Sequence, residues 1–329
     1  MPQQLNGIVI KAQSGFFTVQ TPEGRQLVAQ LRGRLKKERQ DTDLVAVGDR
    51  VTITELKDGK ATINAVAERE RALSRLAPSA RGRGGRRWDR QGYLSEREQI
   101  LVANPDEVVF CFACTDPDPR LRMLDRFLVG AEAQAIPAVI CANKIDLVGG
   151  VAGGREIFGM YEEIGYPVLY ASARTGEGVD ALRAQLTGKL SVLAGPSGVG
   201  KSTLLNAMQP GLGLEVKKVS QATGKGRHTT VVPELLPLAG GGWVADTPGI
   251  RALALFDTDP EDLDAYFPEI APLVAQCQFS DCTHTVEPDC AVIAAVETGA
   301  VHRERYESYV TLREEHQRLA DTYWWGINE

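Results

Sequence analysis

The sequence lacks long apolar runs and a disulfide framework, and each absence excludes a class of protein. No uninterrupted apolar stretch is long enough to span a bilayer, and the first residues do not show the charged and apolar segments of a signal peptide. The six cysteines are not spread as in a disulfide scaffold; three of them lie beside a histidine late in the chain, which indicates metal in a reducing compartment. We therefore expect a soluble, cytoplasmic protein without a membrane partner, and we expect a monomer.

The sequence also lacks an excess of positive charge. The chain has 37 Lys and Arg against 43 Asp and Glu, which gives a net charge of -6. This balance argues against a protein that coats nucleic acid over its whole surface, but it leaves room for one basic face, because binding depends on local charge. With 329 residues, of which 43% are hydrophobic, the chain is long enough for about two or three packed domains.

Residues 1–67 consist of short segments with strand-like composition, separated by turns such as Asp58-Gly59. Several short strands at this spacing predict a small β-barrel, and an OB-fold is the best match. Barrels of this type often bind oligonucleotides. A purely structural role is an equally weighted alternative.

Residues 68–100 differ in charge from the rest of the chain. Between residues 69 and 90 there are eight arginines and only two acidic residues, together with Trp88 and several glycines. This composition predicts a linker whose arginines neutralise RNA phosphates. The alternative is a solvated linker without a binding role.

Residues 101–257 alternate between strand-like and helix-like segments, which predicts a mainly parallel sheet covered by helices. Residues 258–329 are predicted to be helical. Three short motifs in the alternating region each follow a predicted strand, and such sheets bind ligands at the carboxyl ends of their strands.

Residues 195–202 have the spacing G-x-x-x-x-G-K-S of a P-loop, between an apolar strand and a helix. A P-loop binds phosphates through backbone N–H groups and the N-terminus of the following helix. We expect Lys201 to contact the β- and γ-phosphates and the Ser202 hydroxyl to bind Mg²⁺. The predicted phosphate-binding residues are Gly195, Pro196, Ser197, Gly198, Val199, Gly200, Lys201, Ser202 and Thr203.

Residues 143–146 have the sequence NKID, which is the guanine-binding motif of GTPases. The Asp146 carboxylate can accept hydrogen bonds from two N–H groups of guanine, which adenine does not offer. The segment at Ser172 resembles the one that closes over the base in GTPases, where the N–H of Ala173 would be the useful group. The predicted base-binding residues are Asn143, Lys144, Ile145, Asp146, Ser172 and Ala173.

Residues 246–249 have the sequence DTPG, which fits the DxxG motif. We expect Asp246 to bind Mg²⁺ through water and the N–H of Gly249 to contact the γ-phosphate. The next residue is Ile250, where many Ras-like proteins have a glutamine that orients the attacking water. An apolar side chain cannot orient water, so another residue or a partner must do so.

The first switch is predicted at residues 225–230, between the P-loop and DTPG. Thr230, or else Thr229, is expected to bind Mg²⁺. His228 is the candidate catalytic residue, because an imidazole near the attacking water can position it or exchange a proton with it. The alternative is that His228 is a loop residue that contacts RNA or solvent.

These motifs occur in an unusual order, since NKID precedes the P-loop. In a Ras-like GTPase the P-loop comes first, so the order predicts a circularly permuted GTPase that binds GTP and GDP. Two alternatives belong to other classes. One is a non-enzymatic RNA-binding scaffold in which nucleotide only sets the conformation, and the other is a P-loop kinase or ATPase.

The late cysteines and the histidine have the spacing C-x4-C-x-H-x5-C. Three thiolates and one imidazole form a closed tetrahedral set, which suits structural Zn²⁺ and leaves no open position for catalysis. The alternative is four unrelated buried residues. The predicted zinc ligands are Cys277, Cys282, His284 and Cys290.

The order of all these motifs resembles the RsgA family of small ribosomal subunit biogenesis GTPases. The sequence LDRFL at residues 124–128 is a softer match to the same family. The resemblance implies an N-terminal OB-like β-barrel (residues 1–67), a circularly permuted α/β P-loop GTPase domain (101–257) and a C-terminal helical zinc-binding domain (258–329). It also implies GTP hydrolysis with Mg²⁺, stimulated by the small ribosomal subunit during late maturation, with that subunit and its rRNA as partners.

Overall fold

The computed structural model describes residues 4–32, 44–56, 59–76, 98–212, 234–246 and 260–325. Several predicted features lie outside these residues. They are the arginine-rich stretch at 81–90, the first switch with His228, Thr229 and Thr230, and the segment after Asp246 that contains Gly249 and Ile250.

The first five strands form a closed barrel, which confirms the predicted OB-like domain. β1 pairs with both β2 and β4, and β3 pairs in parallel with β5. Alternate side chains such as Phe17, Val19 and Leu27 point inward and form the barrel core, as a period of two residues requires. The strands are β1 (Gln4–Gln13), β2 (Phe16–Gln20), β3 (Gln26–Leu31), β4 (Arg50–Glu55) and β5 (Lys60–Val66).

A two-stranded antiparallel sheet follows the barrel and consists of β6 (Ala72–Leu76) and β7 (Glu98–Ala103). β6 lies inside the stretch that the sequence predicted to be a linker. Leu73 and Val102 are fully buried and belong to the same apolar cluster as residues of the central sheet such as Phe110 and Val192. This short strand was not predicted, because the composition of the surrounding sequence, which is rich in arginine, is typical of a linker.

The central sheet has the strand order β10-β9-β8-β11-β13-β12. All neighbours in this order are parallel except β12, which runs antiparallel to β13. This arrangement confirms the predicted mainly parallel sheet. The strands are β8 (Glu107–Ala113), β9 (Ala138–Asn143), β10 (Val168–Ala171), β11 (Leu190–Ala194), β12 (Glu234–Pro237) and β13 (Trp243–Asp246).

Helices cover both faces of this sheet, and β8, β9 and β11 are therefore buried along their whole length. Phe127 and Phe158 lie in the apolar cluster on one face, while Leu182 and Leu204 lie in the cluster on the other. The helices are α1 (Leu121–Glu132), α2 (Val151–Ile164), α3 (Val179–Leu186) and α4 (Lys201–Met208).

The barrel and the central sheet are hydrogen-bonded to each other through β1 and β12, where Lys11 is in register with Glu234. The two side chains also form an ion pair of 2.9 Å. A register shift in β1 between Val9 and Lys11 turns the strand at this point. Val9 and Ile10 are successive strand residues and point to opposite sides, so Val9 is buried in the barrel core and Ile10 in the core of the central sheet.

The C-terminal segment is helical, as predicted, and has its own apolar core. Phe267, Ile270, Val292 and Tyr309 are buried together, and Val129 of α1 joins them. The helices are α5 (Ala271–Val274), α6 (Ala291–Thr298) and α7 (Arg303–Trp325). Among the helices that the structure describes, none is both long and apolar enough to cross a membrane.

Candidate nucleotide site and metal centre

The P-loop leaves the buried strand β11 through Gly195. This residue has φ of +143°, and a Cβ atom there would lie 2.1 Å from the carbonyl oxygen of Cys111 in β8. Gly200, with φ of +97°, precedes α4, and its Cβ would lie 2.5 Å from Nδ2 of Asn143. A larger residue at Gly195 would require backbone movement, and one at Gly200 would displace the buried Asn143 side chain in a backbone conformation that other residues rarely adopt. Glycine is therefore required at these two positions by the packing of the loop against neighbouring strands.

Lys201, at the start of α4, points back over the loop. Its Nζ donates hydrogen bonds of 2.8 Å to the carbonyl oxygens of both Gly195 and Pro196. Ser202 and Thr203 follow in the first turn of α4, and both are half-buried. The structure therefore brings the lysine, the hydroxyl groups and the helix N-terminus to one loop, which is the arrangement that binds phosphate.

Asn143 joins the P-loop to the loop that follows β10. Its Nδ2 donates to the carbonyl oxygen of Val199 at 2.8 Å, and its Oδ1 accepts from the backbone N–H of Ala173 at 3.4 Å. The side chain is 1% exposed. One buried amide thus holds two loops that are distant in the sequence at the same edge of the sheet.

Asp146 lies beside these loops with its carboxylate partly exposed. Its Oδ1 accepts a hydrogen bond of 2.6 Å from the hydroxyl of Ser172. The guanidinium of Arg174 lies 3.9 Å from Oδ2. Lys144 has a left-handed backbone with φ of 64°, and its Nζ donates to the carbonyl oxygen of Asp116. The side chain of Ile145 is fully buried, so it anchors the motif in the core and leaves its neighbours at the surface.

Asp246 ends β13, and its backbone is in register with Leu193 of the adjacent parallel strand β11. The DxxG motif therefore begins next to the strand that enters the P-loop. Of the predicted nucleotide-site residues, His228, Thr230 and Gly249 lie outside the described part of the chain, and their placement stays a prediction.

Two contacts at this site were not predicted from the sequence. The carbonyl group of Asp116 accepts from Lys144, and the side chain of Arg174 faces Asp146. The position of Arg174 directly after Ser172-Ala173 was a usable signal. A backbone carbonyl carries no sequence signal, so the contact of Asp116 could not be found in this way.

The four predicted metal ligands come together in the C-terminal segment. Their ligand atoms all lie within 4.8 Å of one another. Nδ1 of His284 is 3.5 Å from Sγ of Cys277 and 3.4 Å from Sγ of Cys290, and these two sulfur atoms are 3.9 Å apart. A tetrahedral Zn²⁺ with Zn–S bonds of about 2.3 Å places its sulfur ligands at nearly this separation. The donor set therefore fits one tetrahedral metal ion.

The ring of His284 is oriented from its other side by Asp264. Oδ2 of Asp264 is 3.1 Å from Nε2 of the buried imidazole, which leaves Nδ1 directed at the cysteines. A carboxylate in this position fixes both the tautomer and the orientation of a metal-binding histidine. Asp264 was not predicted, because it lies far from the C-x4-C-x-H-x5-C motif in the sequence.

Hydrogen bonds donated by α7 and hydrogen bonds accepted by the Glu287 carboxylate hold the loop that carries these ligands. Tyr306 donates to the carbonyl oxygen of His284 at 2.8 Å, and Tyr309 donates to that of Thr283 at 2.9 Å. Burial raises the pKa of Glu287, but hydrogen bonds from the hydroxyl and amide of Thr283 outweigh it and hold the pKa well below its usual range. The Glu287 carboxylate is thus ionised and accepts hydrogen bonds from the backbone N–H groups of Thr283 and Thr285 in the loop.

Two family models match the chain. The RsgA GTPase model matches residues 87–256, and the RsgA N-terminal domain model matches residues 6–63. Among curated proteins, the small ribosomal subunit biogenesis GTPase RsgA of Gemmatimonas aurantiaca is 45% identical, with 96% of this chain and 98% of the relative aligned. The protein of the same name from Moorella thermoacetica is 42% identical over 93% of this chain and 96% of the relative.

Solved structures agree with this assignment. YjeQ from Thermotoga maritima is 35% identical, covers 96% of this chain and 99% of its own, and superposes with a TM-score of 0.75. YloQ, described as a circularly permuted GTPase, is 30% identical over 96% of both chains with a TM-score of 0.72. With the barrel, the permuted motif order and the Cys/His cluster in place, the chain belongs to the RsgA GTPase family and is a GTP hydrolase.

Proposed function

We propose that this protein hydrolyses GTP during late maturation of the small ribosomal subunit, and that the subunit stimulates hydrolysis. The observation that supports the nucleotide assignment best is the pair of hydrogen bonds made by Asn143. They join Val199 of the P-loop to Ala173 in the loop that follows β10. The subunit comes from the names of the relatives, which are small ribosomal subunit biogenesis GTPases. A scaffold without hydrolysis is not favoured, because those relatives are named as GTPases.

Guanine is selected by Asp146 in this proposal. The hydroxyl of Ser172 holds one carboxylate oxygen, so the plane of the carboxylate is fixed before the base arrives. The N1–H and N2–H groups of guanine would then donate to the carboxylate. The N–H of Ala173, which donates to Oδ1 of Asn143 at 3.4 Å, would turn to O6 of the base. Lys144, held by its hydrogen bond to Asp116, would lie beside the base.

Residues 195–203 bind the phosphates in this proposal. Lys201 exchanges its two carbonyl acceptors for phosphate oxygens when GTP enters. Mg²⁺ bound with GTP would neutralise charge on the β- and γ-phosphates. The hydroxyls of Ser202 and Thr230 would hold it directly, and Asp246 would hold it through water. Gly249 would donate its N–H to the γ-phosphate.

His228 is our proposed catalytic residue. Ile250 leaves the usual water-orienting position apolar, so an imidazole in the first switch would orient the attacking water instead. The proposal for this residue rests on the sequence, since His228 lies outside the described residues.

The metal centre is proposed to hold one structural Zn²⁺. Cys277, Cys282, His284 and Cys290 would provide all four ligands, so the ion would fix the loop and take no part in hydrolysis. We further propose that the barrel and the arginine-rich stretch at residues 81–90 contact rRNA, and that the protein acts as a cytoplasmic monomer.

GTP turnover tests the function directly. It would be measured for the purified protein alone, with small subunits and with large subunits. We expect slow turnover alone, strong stimulation by small subunits and none by large ones.

Two variants test individual residues. His228→Ala should retain GTP binding and lose most of the stimulated turnover, whereas Lys201→Ala should lose GTP binding itself. Equal turnover in all three conditions would remove the ribosomal assignment, and normal stimulated turnover of His228→Ala would remove this residue from catalysis.

A further inference from the structure

The LDRFL sequence at residues 124–128 lies in α1, and its aspartate is the centre of a buried polar network. Asp125 is 2% exposed. Its Oδ1 accepts hydrogen bonds of 2.7 Å from the hydroxyl of Tyr161 in α2 and from Nη1 of Arg305 in α7. Its Oδ2 accepts from the hydroxyl of Ser308, also in α7. One carboxylate therefore connects two helices of the GTPase domain with the C-terminal helix.

Arg305 is the partner of Asp125 and has no exposed surface. Its Nε donates to Oε1 of Glu269 at 2.6 Å and its Nη2 donates to Oε2 at 3.3 Å. The guanidinium also lies 4.6 Å from the ring centroid of Phe267. Burial lowers the pKa of Arg305, but the charges of Asp125 and Glu269 more than offset this and raise it. The cation is thus fixed between one carboxylate of the GTPase domain and one of the C-terminal segment.

Other contacts along the same helices are weaker. Arg126 pairs with Glu315, and both side chains are partly exposed. Arg122 lies 3.8 Å from Glu307, and both of these are largely exposed, so their pairing contributes little. The polar contacts that fix the relative orientation of α1 and α7 are therefore mainly those of the buried network around Asp125 and Arg305.

The position of α1 in the chain connects this network with the nucleotide site. α1 lies between β8 and β9, and β9 ends at Asn143. The connection from β8 to α1 includes Asp116, whose carbonyl oxygen accepts from Lys144 of the guanine motif. On its other side, α7 holds the metal-ligand loop through Tyr306 and Tyr309. α1 is therefore joined to the nucleotide site by the chain segments on either side of it, and α7 contacts the metal-ligand loop directly.

We propose that Asp125 and Arg305 are positioning residues that hold the metal-binding segment in one orientation on the GTPase domain and couple it to the nucleotide site. A well-packed apolar pair would join the two parts as firmly as a buried ion pair. What the ion pair adds is direction, because its hydrogen bonds form in one relative orientation of α1 and α7. Binding energies at coupled sites affect each other reciprocally, so nucleotide at the GTPase domain changes the stability of α7. Any effect of this coupling on the stimulation of GTP hydrolysis by the small subunit rests on the proposed function.

Hydrogen exchange tests the coupling without any ribosomal subunit. The probe is GDP added to the full-length, metal-loaded protein, and the readout is amide exchange over residues 303–312 of α7. In the unmodified protein we expect saturating GDP to slow this exchange by at least about fivefold. In Asp125→Asn and in Arg305→Lys, GDP should still bind but should no longer slow exchange in α7. The double variant Arg122→Ala/Glu307→Ala is the matched control, and it should behave like the unmodified protein.

Two results would overturn the proposal. One is that GDP leaves α7 exchange unchanged in the unmodified protein, and the other is that Asp125→Asn and Arg305→Lys respond to GDP as fully as the control does. Metal content and unfolding temperature, measured on the same samples, identify a variant that has lost the fold. If Asp125→Asn has lost the fold, the exchange result of Arg305→Lys, which keeps the positive charge, decides the proposal. Absent stimulation by small subunits would overturn the proposed function alone, since the exchange experiment contains none.

Discussion

The nucleotide site and the metal centre are built in opposite ways. The nucleotide site collects residues 143–146, 172–174, 195–203 and Asp246, which are far apart in the sequence, at one edge of a sheet whose strands are buried. The metal ligands all lie between Cys277 and Cys290, in a segment with little regular structure until α6 begins at Ala291. The sheet forms the first site, whereas the second would be organised by the four clustered residues and the metal ion that they could hold.

The two sites also differ in how their carboxylates are satisfied. Among the described residues, Ser172 donates its hydroxyl to one oxygen of Asp146 and the exposed Arg174 lies 3.9 Å from the other, so the carboxylate has capacity to accept further hydrogen bonds. Asp264 faces the buried imidazole of His284, inside a module closed by Tyr306 and Tyr309. In the proposed function the first carboxylate would accept from an exchangeable ligand, and the second would orient a histidine that holds a structural metal. Substitutions should therefore change affinity at one site and folding at the other.

The largest effect is expected from removing a metal ligand. Cys282→Ala leaves three donors where a closed site needs four, and structural Zn²⁺ provides much of the folding free energy of small metal-binding modules. We expect zinc content to fall from about one ion per chain to nearly none, and amide protection in α6 to be lost. GDP should still bind, because the sheet forms its site. Zinc content would be measured by elemental analysis.

Cys114→Ala is the matched control for this substitution. Cys114 is buried at the end of β8, where burial raises the pKa of its thiol to about 11, and it lies outside the ligand cluster. It should retain zinc in full. If Cys282→Ala also retained its zinc and its α6 protection, the metal would not organise this segment.

The second prediction concerns base selection. In Asp146→Asn one acceptor becomes a donor, which disfavours the N–H groups of guanine and suits O2 of xanthine. We expect GDP affinity to fall by about 100-fold, or ~3 kcal/mol, as for lost hydrogen bonds to a charged group, and XDP affinity to rise. Equilibrium titration with both nucleotides is the measurement.

Asp264→Asn makes the same chemical change in the metal centre. It should lower zinc affinity by about 10–100-fold, since it alters the partner of a metal-binding histidine, and should leave the preference for GDP over XDP unchanged. If Asp264→Asn changed the preference for GDP over XDP, or if Asp146→Asn did not, base selection would not belong to Asp146 alone.

Much of the fold was predictable because its signals are local. Inward-facing apolar residues recur every second position in the barrel strands, as in Phe17 and Val19, and the P-loop and NKID each lie within a few residues. The sequence also predicted that Cys277, Cys282, His284 and Cys290 belong together, because their spacing is short, and the structure brings these four residues into one cluster.

Features that depend on distant partners were not predictable. Arg305 lies in a helix rich in charged residues, and nothing in its neighbours indicates that it is fully buried against Asp125 and Glu269. β6 was hidden for a related reason, since Leu73 is buried by the central sheet and is surrounded in sequence by arginines. In both cases tertiary packing overrides the local composition.

The smallest effect is expected from a hydroxyl that orients Asp146. Ser172 is fully buried, donates to Oδ1 of Asp146 at 2.6 Å and accepts from the backbone N–H of Thr175 at 3.2 Å. Ser172→Ala removes both contacts, so GDP and GTP should each bind about fivefold more weakly, which corresponds to ~1 kcal/mol for one hydrogen bond. The two losses should be equal, because Ser172 lies at the base and not at the γ-phosphate.

Ser191 provides a control of the same chemistry at the other end of the sheet. It is also fully buried, and its hydroxyl donates to Glu107 at 2.9 Å near the start of β11. Ser191→Ala should lower the unfolding temperature while GDP and GTP affinities stay unchanged, because the amino ends of the strands carry no nucleotide contact in this site. Equal loss of affinity in the two alanine variants would mean that both act through the stability of the sheet. A loss confined to Ser172→Ala would place its effect in the orientation of the Asp146 carboxylate.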